Sequence, residues 1–425
     1  CEGVRVNHPP TPLRPVHPLR LARYRRYWVS QVMTDFGQFA TVMVLGWQMY
    51  DTARLTMSTE RASLMLGFLG LAQFVPLAAC SPVSGWVVDR LDRRWVALGA
   101  IGLELACVSA LAVITLRGAV TLPWLFAAGF VFGLARAFAM PAKQSITPNL
   151  VPKDVLPSAV AMTAMSMQLG VIGGPTIGGL LYGVDAWLPY VVVSGMLALG
   201  AVAMAGIGPV VGHKALRSTA SPGRQMIEGF RYVRRNRIVL GAVSLDLFAV
   251  LMGGATAMLP VFARDILHVG SEGLGLLRAA PAVGAALMGL SLSRWPIRHR
   301  VGWWMFGAVG VFGLATVGFG LARALVPSLA SLFVMGAADM ISMYVRGTLI
   351  QLSTPDEMRG RVGSVAALFI SGSNELGEAE SGLLAAVIGP VAAVVAGGVA
   401  AVALAALWSW VFPQLRRADT FADTP

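Results

Sequence analysis

Long apolar runs, broken by short polar interruptions, fill nearly the whole chain. A membrane-spanning helix needs about 20 mostly apolar residues. Twelve segments reach that length: 27–50, 62–86, 95–116, 122–141, 157–182, 187–210, 238–262, 273–293, 302–322, 325–348, 362–386 and 389–412. The runs are continuous rather than alternating in polarity, which excludes a closed barrel of spanning strands. The pattern predicts an all-α polytopic membrane protein with twelve transmembrane helices. The first run is too long for a signal-peptide core and lacks a small-residue cleavage site, so no cleaved leader is expected.

Composition agrees. The chain is 56% hydrophobic and 13% charged, with mean hydropathy +0.69; a soluble domain carries about 25% charged residues. The net charge of +12 does not point to nucleic acid, because the basic residues lie in short clusters between apolar runs. Those clusters orient the chain by the positive-inside rule. With the N-terminus inside, 26 Lys and Arg fall on the cytoplasmic side and five (Arg54, Arg61, Arg117, Arg264, Arg323) outside. Lys143 and Arg346 are counted inside, at the cytoplasmic ends of their segments. Both termini are thus expected in the cytoplasm, with the chain in a cytoplasmic (inner) membrane and lipid around it. The three cysteines (Cys1, Cys80, Cys107) and five scattered histidines have no metal-site spacing, and no HExxH, GxSxG or P-loop pattern occurs. No metal, cofactor or enzymatic activity is expected.

The longest internal connection divides the runs six and six. The expected organisation is a cytoplasmic tail (1–26), a six-helix bundle (27–210), a cytoplasmic loop with an amphipathic segment (211–237), a second bundle (238–412) and a cytoplasmic tail (413–425). In the loop, Met226, Ile227, Phe230 and Val233 share one helical face, which suits a helix lying at the membrane surface; residues 211–224 read equally well as solvated linker. The halves echo each other. Gly133–Arg136 matches Gly336–Asp339 at an offset of 203 residues, and Met140 meets Met343 and Pro152 meets Pro355 at the same offset. A duplicated bundle works as two bodies rocking about a site between them.

Charges inside the membrane cost about 2.5–3.5 kcal/mol each at a helix centre, so they mark interior positions. Asp35, Arg136, Asp246 and Asp339 fall on the first and fourth runs of each half. Asp35 and Asp246 read as protonatable carboxylates facing a cavity, or as carboxylates capped by neighbouring hydroxyls. Asp339 could bridge to Arg136 in the other half or to Arg346 on its own helix. Glu104 reads as isolated on an outer helix, and Arg278 as snorkelling. Asn374, Glu375 and Glu378 share one face of a run too polar for lipid; that face lines a water-filled path or packs on the other half. In the fifth run, Gly170, Gly174 and Gly178 form one flat face around a Pro175 kink, followed by Gly179. Such a face suits the seam between the halves, or tight packing alone.

Between the second and third runs lies "GWVVDRLDRR". Its Gly85, Asp89, Arg90, Arg93 and Arg94 resemble the signature loop of the major facilitator superfamily, and "GVIGGPTIGG" is similar to the fifth-helix motif of its proton-coupled exporters. "LGWQMYDTA", "PAKQSITPNLVP" and "TPDEMRGRVGS" narrow the likeness to its enterobactin-exporter and macrolide-efflux type. The resemblance implies two pseudo-symmetric six-helix bundles, a monomer, and alternating access with protons as coupling ion. It places Asp35, Arg136, Asp246 and Asp339 around a central cavity. It also makes Asp89 and the hinge arginines a cytoplasmic latch, with Asp89 meeting the start of the eleventh helix. The expected function is export of a small organic molecule. The alternatives are a symporter of the same fold, a polytopic membrane enzyme and a non-transporting receptor.

Overall fold

In lipid every backbone amide must find its partner within the protein, so each apolar run is driven into a helix. A computed structural model describes residues 17–152, 154–210 and 222–420, and no strand occurs among them. After a short turn (Pro18–Arg20) come α1 (Ala22–Ala53), α2 (Thr59–Arg90), α3 (Arg93–Leu116), α4 (Leu122–Leu150), α5 (Leu156–Val184) and α6 (Leu188–Ala205). The amphipathic segment forms α7 (Pro222–Arg235). The second half contains α8 (Arg237–Met252), a single turn α9 (Leu259–Val261), α10 (Gly270–Arg294), α11 (Val301–Leu321), α12 (Leu325–Leu352), α13 (Asp356–Ile388) and α14 (Pro390–Val411); α15 (Pro413–Arg417) follows. Among the described residues, ten segments are long and apolar enough to cross a membrane, with Arg237–Ile266 counted as one. The two other long helices are α1 and α13, which carry polar and charged side chains along their length.

Several helices outrun the apolar runs that announced them. α4 continues from the expected end at 141 to Leu150, so Lys143 lies within a helix and not in a connection. The seventh run is discontinuous. α8 stops at Gly253, and a 3-10 turn, α9 and a π turn (Phe262–Ile266) carry the chain onward. The α2–α3 hinge is two residues long. Its Asp92 caps α3 by accepting the Arg94 amide at 2.9 Å, and Arg90 closes the last turn of α2, where a cation meets the helix dipole. Between α13 and α14 the only connecting residue is Gly389, at φ +84°, a conformation open to glycine and strained for other residues.

The two halves repeat one packing plan. In the first, α1 packs on α5 and α6, α2 on α4, and α3 on α4 and α6. In the second, α8 packs on α13 and α14, α10 on α12, and α11 on α12 and α14. Each pair of the first set is the counterpart of one in the second. The halves meet along α2 with α13 and α5 with α10, contacts that the repeat also exchanges. α7 lies against α13: Val233 is buried beside Val362 and Val365, Phe230 stacks on Phe369, and Glu228 accepts Arg361 at 2.6 Å. The linker at 211–221 lies outside the described residues, as do 1–16 and 421–425.

The repeat is strictest at two glycines. A side chain on Gly133 would collide with the Gln73 carbonyl of α2, and one on Gly336 with the Pro281 carbonyl of α10. The two positions are 203 residues apart and hold equivalent helix crossings. Gly133→Val or Gly336→Val is expected to cost about 1–3 kcal/mol or more by overpacking, read as a lowered thermal midpoint of the detergent-purified protein. The same change at Gly307, where an added methyl group meets nothing within 4 Å, should leave the midpoint nearly unchanged.

Candidate functional site

The first and fourth helices of each half bring one carboxylate and one cation together in the interior. In the first half, Lys143 Nζ of α4 lies 3.0 Å from Asp35 Oδ1 of α1 and donates to Thr34 Oγ1 at 2.9 Å. Ser166 of α5 donates to Asp35 Oδ2 at 2.9 Å, so both carboxylate oxygens are engaged. The two side chains are 15% and 12% exposed. α5 comes this close because Gly170 presents no side chain: a Cβ there would stand 2.8 Å from the Asp35 carbonyl carbon. One turn or two from the pair, Tyr27 donates to the Lys143 carbonyl at 2.8 Å, while Gln31 and Thr147 donate to Tyr27. These bonds fix α1 against α4 beside the ion pair.

In the second half, Arg346 of α12 pairs with Asp246 of α8, and both are buried. Arg346 follows Lys143 by 203 residues, the offset of the repeat. The halves therefore hold equivalent pairs that differ in the cation. Asp339 makes no ion pair among the described residues, which corrects both expected bridges: Arg346 is taken by Asp246. Asp339 instead lines a small cavity with Asp246, Phe312 and Ser342. One further expectation changes. Glu104 is buried rather than outward-facing, within electrostatic reach of Lys143 and Arg136. Arg278 is half-buried and has a partner; its guanidinium lies 3.8 Å from the point a Gly46 side chain on α1 would occupy.

Arg136 is half-buried on α4 and has an interaction partner. On α13, Asn374 is exposed and Glu378 half-buried with a partner, while the Glu375 side chain lies outside the described ones. This polar stretch packs closely on neighbours. Gly377 and Ser381 press on the α8 break at Gly253–Gly254, and a Cβ on Gly67 of α2 would stand 3.1 Å from the Ala379 carbonyl.

The fifth-helix motif divides between two neighbours. Gly170, Gly174 and Gly178 face α1 within their own half, against Asp35, Phe36 and Ala40. Pro175 and Gly179 face α10 of the other half, where Gly275 and Ser271 meet them, and Gln168 donates across to the Ala282 carbonyl at 3.0 Å. At the hinge, Arg93 donates to the Ser145 carbonyl at 3.0 Å and Arg94 to the Ala205 carbonyl at 3.3 Å, both within the first half. Arg90 is exposed and has a partner, Gly85 is exposed with open space before it, and the Asp89 side chain lies outside the described ones.

At the end opposite the hinge, a polar cluster that the charge pattern did not single out joins the halves. Asp265 Oδ2 accepts Tyr50 at 2.6 Å, Arg54 Nε at 3.0 Å and Thr59 at 3.2 Å. Its neighbour Arg264 pairs with Asp51 and donates to the Asp51 carbonyl at 3.1 Å. The first half supplies Tyr50, Asp51, Arg54 and Thr59; the turn after α9 supplies Arg264 and Asp265.

A family model described as Major Facilitator Superfamily matches residues 27–378. Enterobactin exporter EntS of Escherichia coli O1:K1 is 27% identical over 381 residues, 87% of each chain. Among solved structures, an inward-facing, occupied bacterial homologue of the human lysosomal transporter Spinster superposes with TM-score 0.73 at 15% identity, covering 94% of this chain and 98% of that one. A point mutant of the nucleoside transporter NupG gives TM-score 0.71 at 14% identity, covering 92% and 100%. These two likenesses are of fold.

Removing one partner of a buried ion pair costs about 3–5 kcal/mol, chiefly by stranding the other charge. Lys143→Met should fall near the lower bound, because the pair keeps some exposure. Adding Asp35→Asn should recover much of the loss. Thermal unfolding of the single and double variants checks this: additive losses would mean that the two side chains are not coupled.

Proposed function

Because the chain belongs to the Major Facilitator Superfamily, we propose that it exports a small organic molecule across the cytoplasmic membrane by alternating access, in exchange for protons. The observation that carries the coupling is the Asp35–Lys143 pair set against its counterpart, Asp246–Arg346. A guanidinium holds its proton throughout the biological pH range, whereas the charge state of a buried ammonium can be changed. The second pair is thus a fixed strut between α8 and α12. In the first pair Asp35 has a second partner, Ser166, to hold it when the pair opens. A proton arriving on Asp35 leaves a neutral acid hydrogen-bonded to Ser166 and strands the Lys143 ammonium. Glu104, buried on α3 and within electrostatic reach of Lys143, is the acidic group we assign to receive it. Lys143 moving from Asp35 toward Glu104 loosens α1 from α4, and that movement is the coupling step.

Outward transport is supported by the likeness to exporters of enterobactin across 87% of both chains. The chain then lies with both termini in the cytoplasm, a reading the Lys and Arg pattern supports, and acts as a monomer. The hinge end is cytoplasmic, and the Asp51–Arg264 and Asp265 cluster closes the opposite, outer end. Asp89 with Arg90, Arg93 and Arg94 forms the cytoplasmic latch of the alternate state, when α2 closes on the start of α13. Substrate sits between the halves near Arg136, Asp246, Asp339 and the Asn374–Glu378 face.

Two measurements test the reading. Everted membrane vesicles energised with a proton gradient should accumulate substrate in the wild type. Asp35→Asn should lower that accumulation at least tenfold while leaving the amount of inserted protein unchanged, and Asp246→Asn should impair it too. Loss of substrate from energised vesicles would mean uptake, and full transport by both variants would remove these carboxylates from coupling. For the latch, spin-label distances across the cytoplasmic seam should lengthen in Asp89→Asn; an unchanged distribution speaks against it.

A further inference from the structure

On the outer flank of the second half, α10, α11 and α12 leave a groove of about 650 Å3. It is apart from the seam between the halves and from the Asp246 cavity. Met288 of α10, Trp303, Gly307 and Val311 of α11, and Ala337 and Ile341 of α12 line it, and Arg300 stands at one end. The floor is made of small residues and the walls are apolar, so an aqueous substrate has little to bind there. The arginine end is different. Arg294, Arg298 and Arg300 are all exposed in and beside the α10–α11 connection, and Arg416 follows Leu415 where α15 presses on Gly302. The one carboxylate described among them is Asp419, which accepts the Arg300 backbone amide at 3.1 Å and sits 3.1 Å from His299. A net positive charge remains at the mouth. Trp303 and Trp304 are half-exposed in the first turn of α11, and Trp295 is exposed nearby, as in the aromatic belts at membrane interfaces.

Length decides what fits. From Arg300 to Val311 the helix rises about 16 Å at 1.5 Å per residue. That is about half of the roughly 30 Å hydrocarbon core. The groove therefore spans one leaflet, from its headgroup level to the midplane.

We propose that this groove binds one acyl chain of an anionic phospholipid from the leaflet on the hinge side, with the headgroup phosphate held by Arg298 and Arg300. The inference rests on the chain spanning a membrane and not on the direction or coupling of transport. Gly307 makes it testable. Gly307 lines the groove and a Cβ there meets nothing within 4 Å, so Gly307→Leu adds its side chain at the groove without a backbone clash at its base.

Native mass spectrometry of the full-length protein in detergent, titrated with phosphatidylglycerol or phosphatidylcholine, reads the result. The wild type should hold one phosphatidylglycerol more tightly than phosphatidylcholine. Gly307→Leu, with its thermal midpoint unchanged, should lose that bound lipid. The exposed Arg298→Gln and Arg300→Gln changes should each reduce the preference roughly fivefold, the effect of one arginine near an anionic surface. Equal binding by Gly307→Leu and wild type overturns the proposal. Should that variant not fold, an undiminished preference for phosphatidylglycerol in the double arginine variant overturns it instead.

Discussion

A carboxylate withdrawn from water must meet a cation or give up its charge, and this requirement organises the interior of both halves. Asp35 and Asp246 could not stay ionised on α1 and α8 unless another helix delivered Lys143 and Arg346 to them. The delivery sets how α1 lies against α4 and α8 against α12. The close approach of α5 then follows, since Ser166 reaches Asp35 only because Gly170 has no side chain. One electrostatic need thus fixes three helices of the first half relative to one another.

Packing supplies the rest. The crossings at Gly133 and Gly336 are too tight for any side chain, and they stand at the same place in each half. Between the halves the contacts are also glycine-rich, at Gly67 with Gly382 and at Gly179 with Gly275. Small residues let backbones approach and leave few interlocked side chains to resist sliding. The polar contacts at Asp265 act where the seam reaches water, and these can exchange partners with solvent.

Much of this was legible in the sequence. Twelve apolar runs, a six-and-six division and the hinge between α2 and α3 all follow from local pattern, which hydropathy records directly. The ion pairs were only half legible. Asp35 and Asp246 stood out as charges within apolar runs, but their partners did not. Lys143 follows Pro141, where the apolar run ends, and a helix that continues past the apolar window looks like a loop in a hydropathy reading. The signal was present all the same: Lys143 and Arg346 share the 203-residue offset of the other repeat matches. Arg346 was weighed only against Asp339 because they are two turns apart on one helix. Its true partner is on another helix, and no spacing along the chain records that. Gly179 follows the flat face of Gly170, Gly174 and Gly178, and that one further residue turns about 100° around the helix to face a different neighbour. Glu104 shows the same limit, since one sequence does not say which face of α3 turns inward.

The cluster around Asp265 carries a consequence for the medium at the end of the bundle opposite the hinge. One oxygen gathers three donors, so the closure depends on the Asp265 charge more than on any single donor. Its four charged side chains, Arg54, Asp265, Arg264 and Asp51, are 19–41% exposed. Charges so placed feel dissolved ions within a Debye length of about 8 Å at physiological ionic strength. Added salt weakens such contacts and its removal strengthens them. Under the proposed alternating access, ionic strength at that end of the bundle would bias the balance between states through a contact that touches neither substrate nor proton.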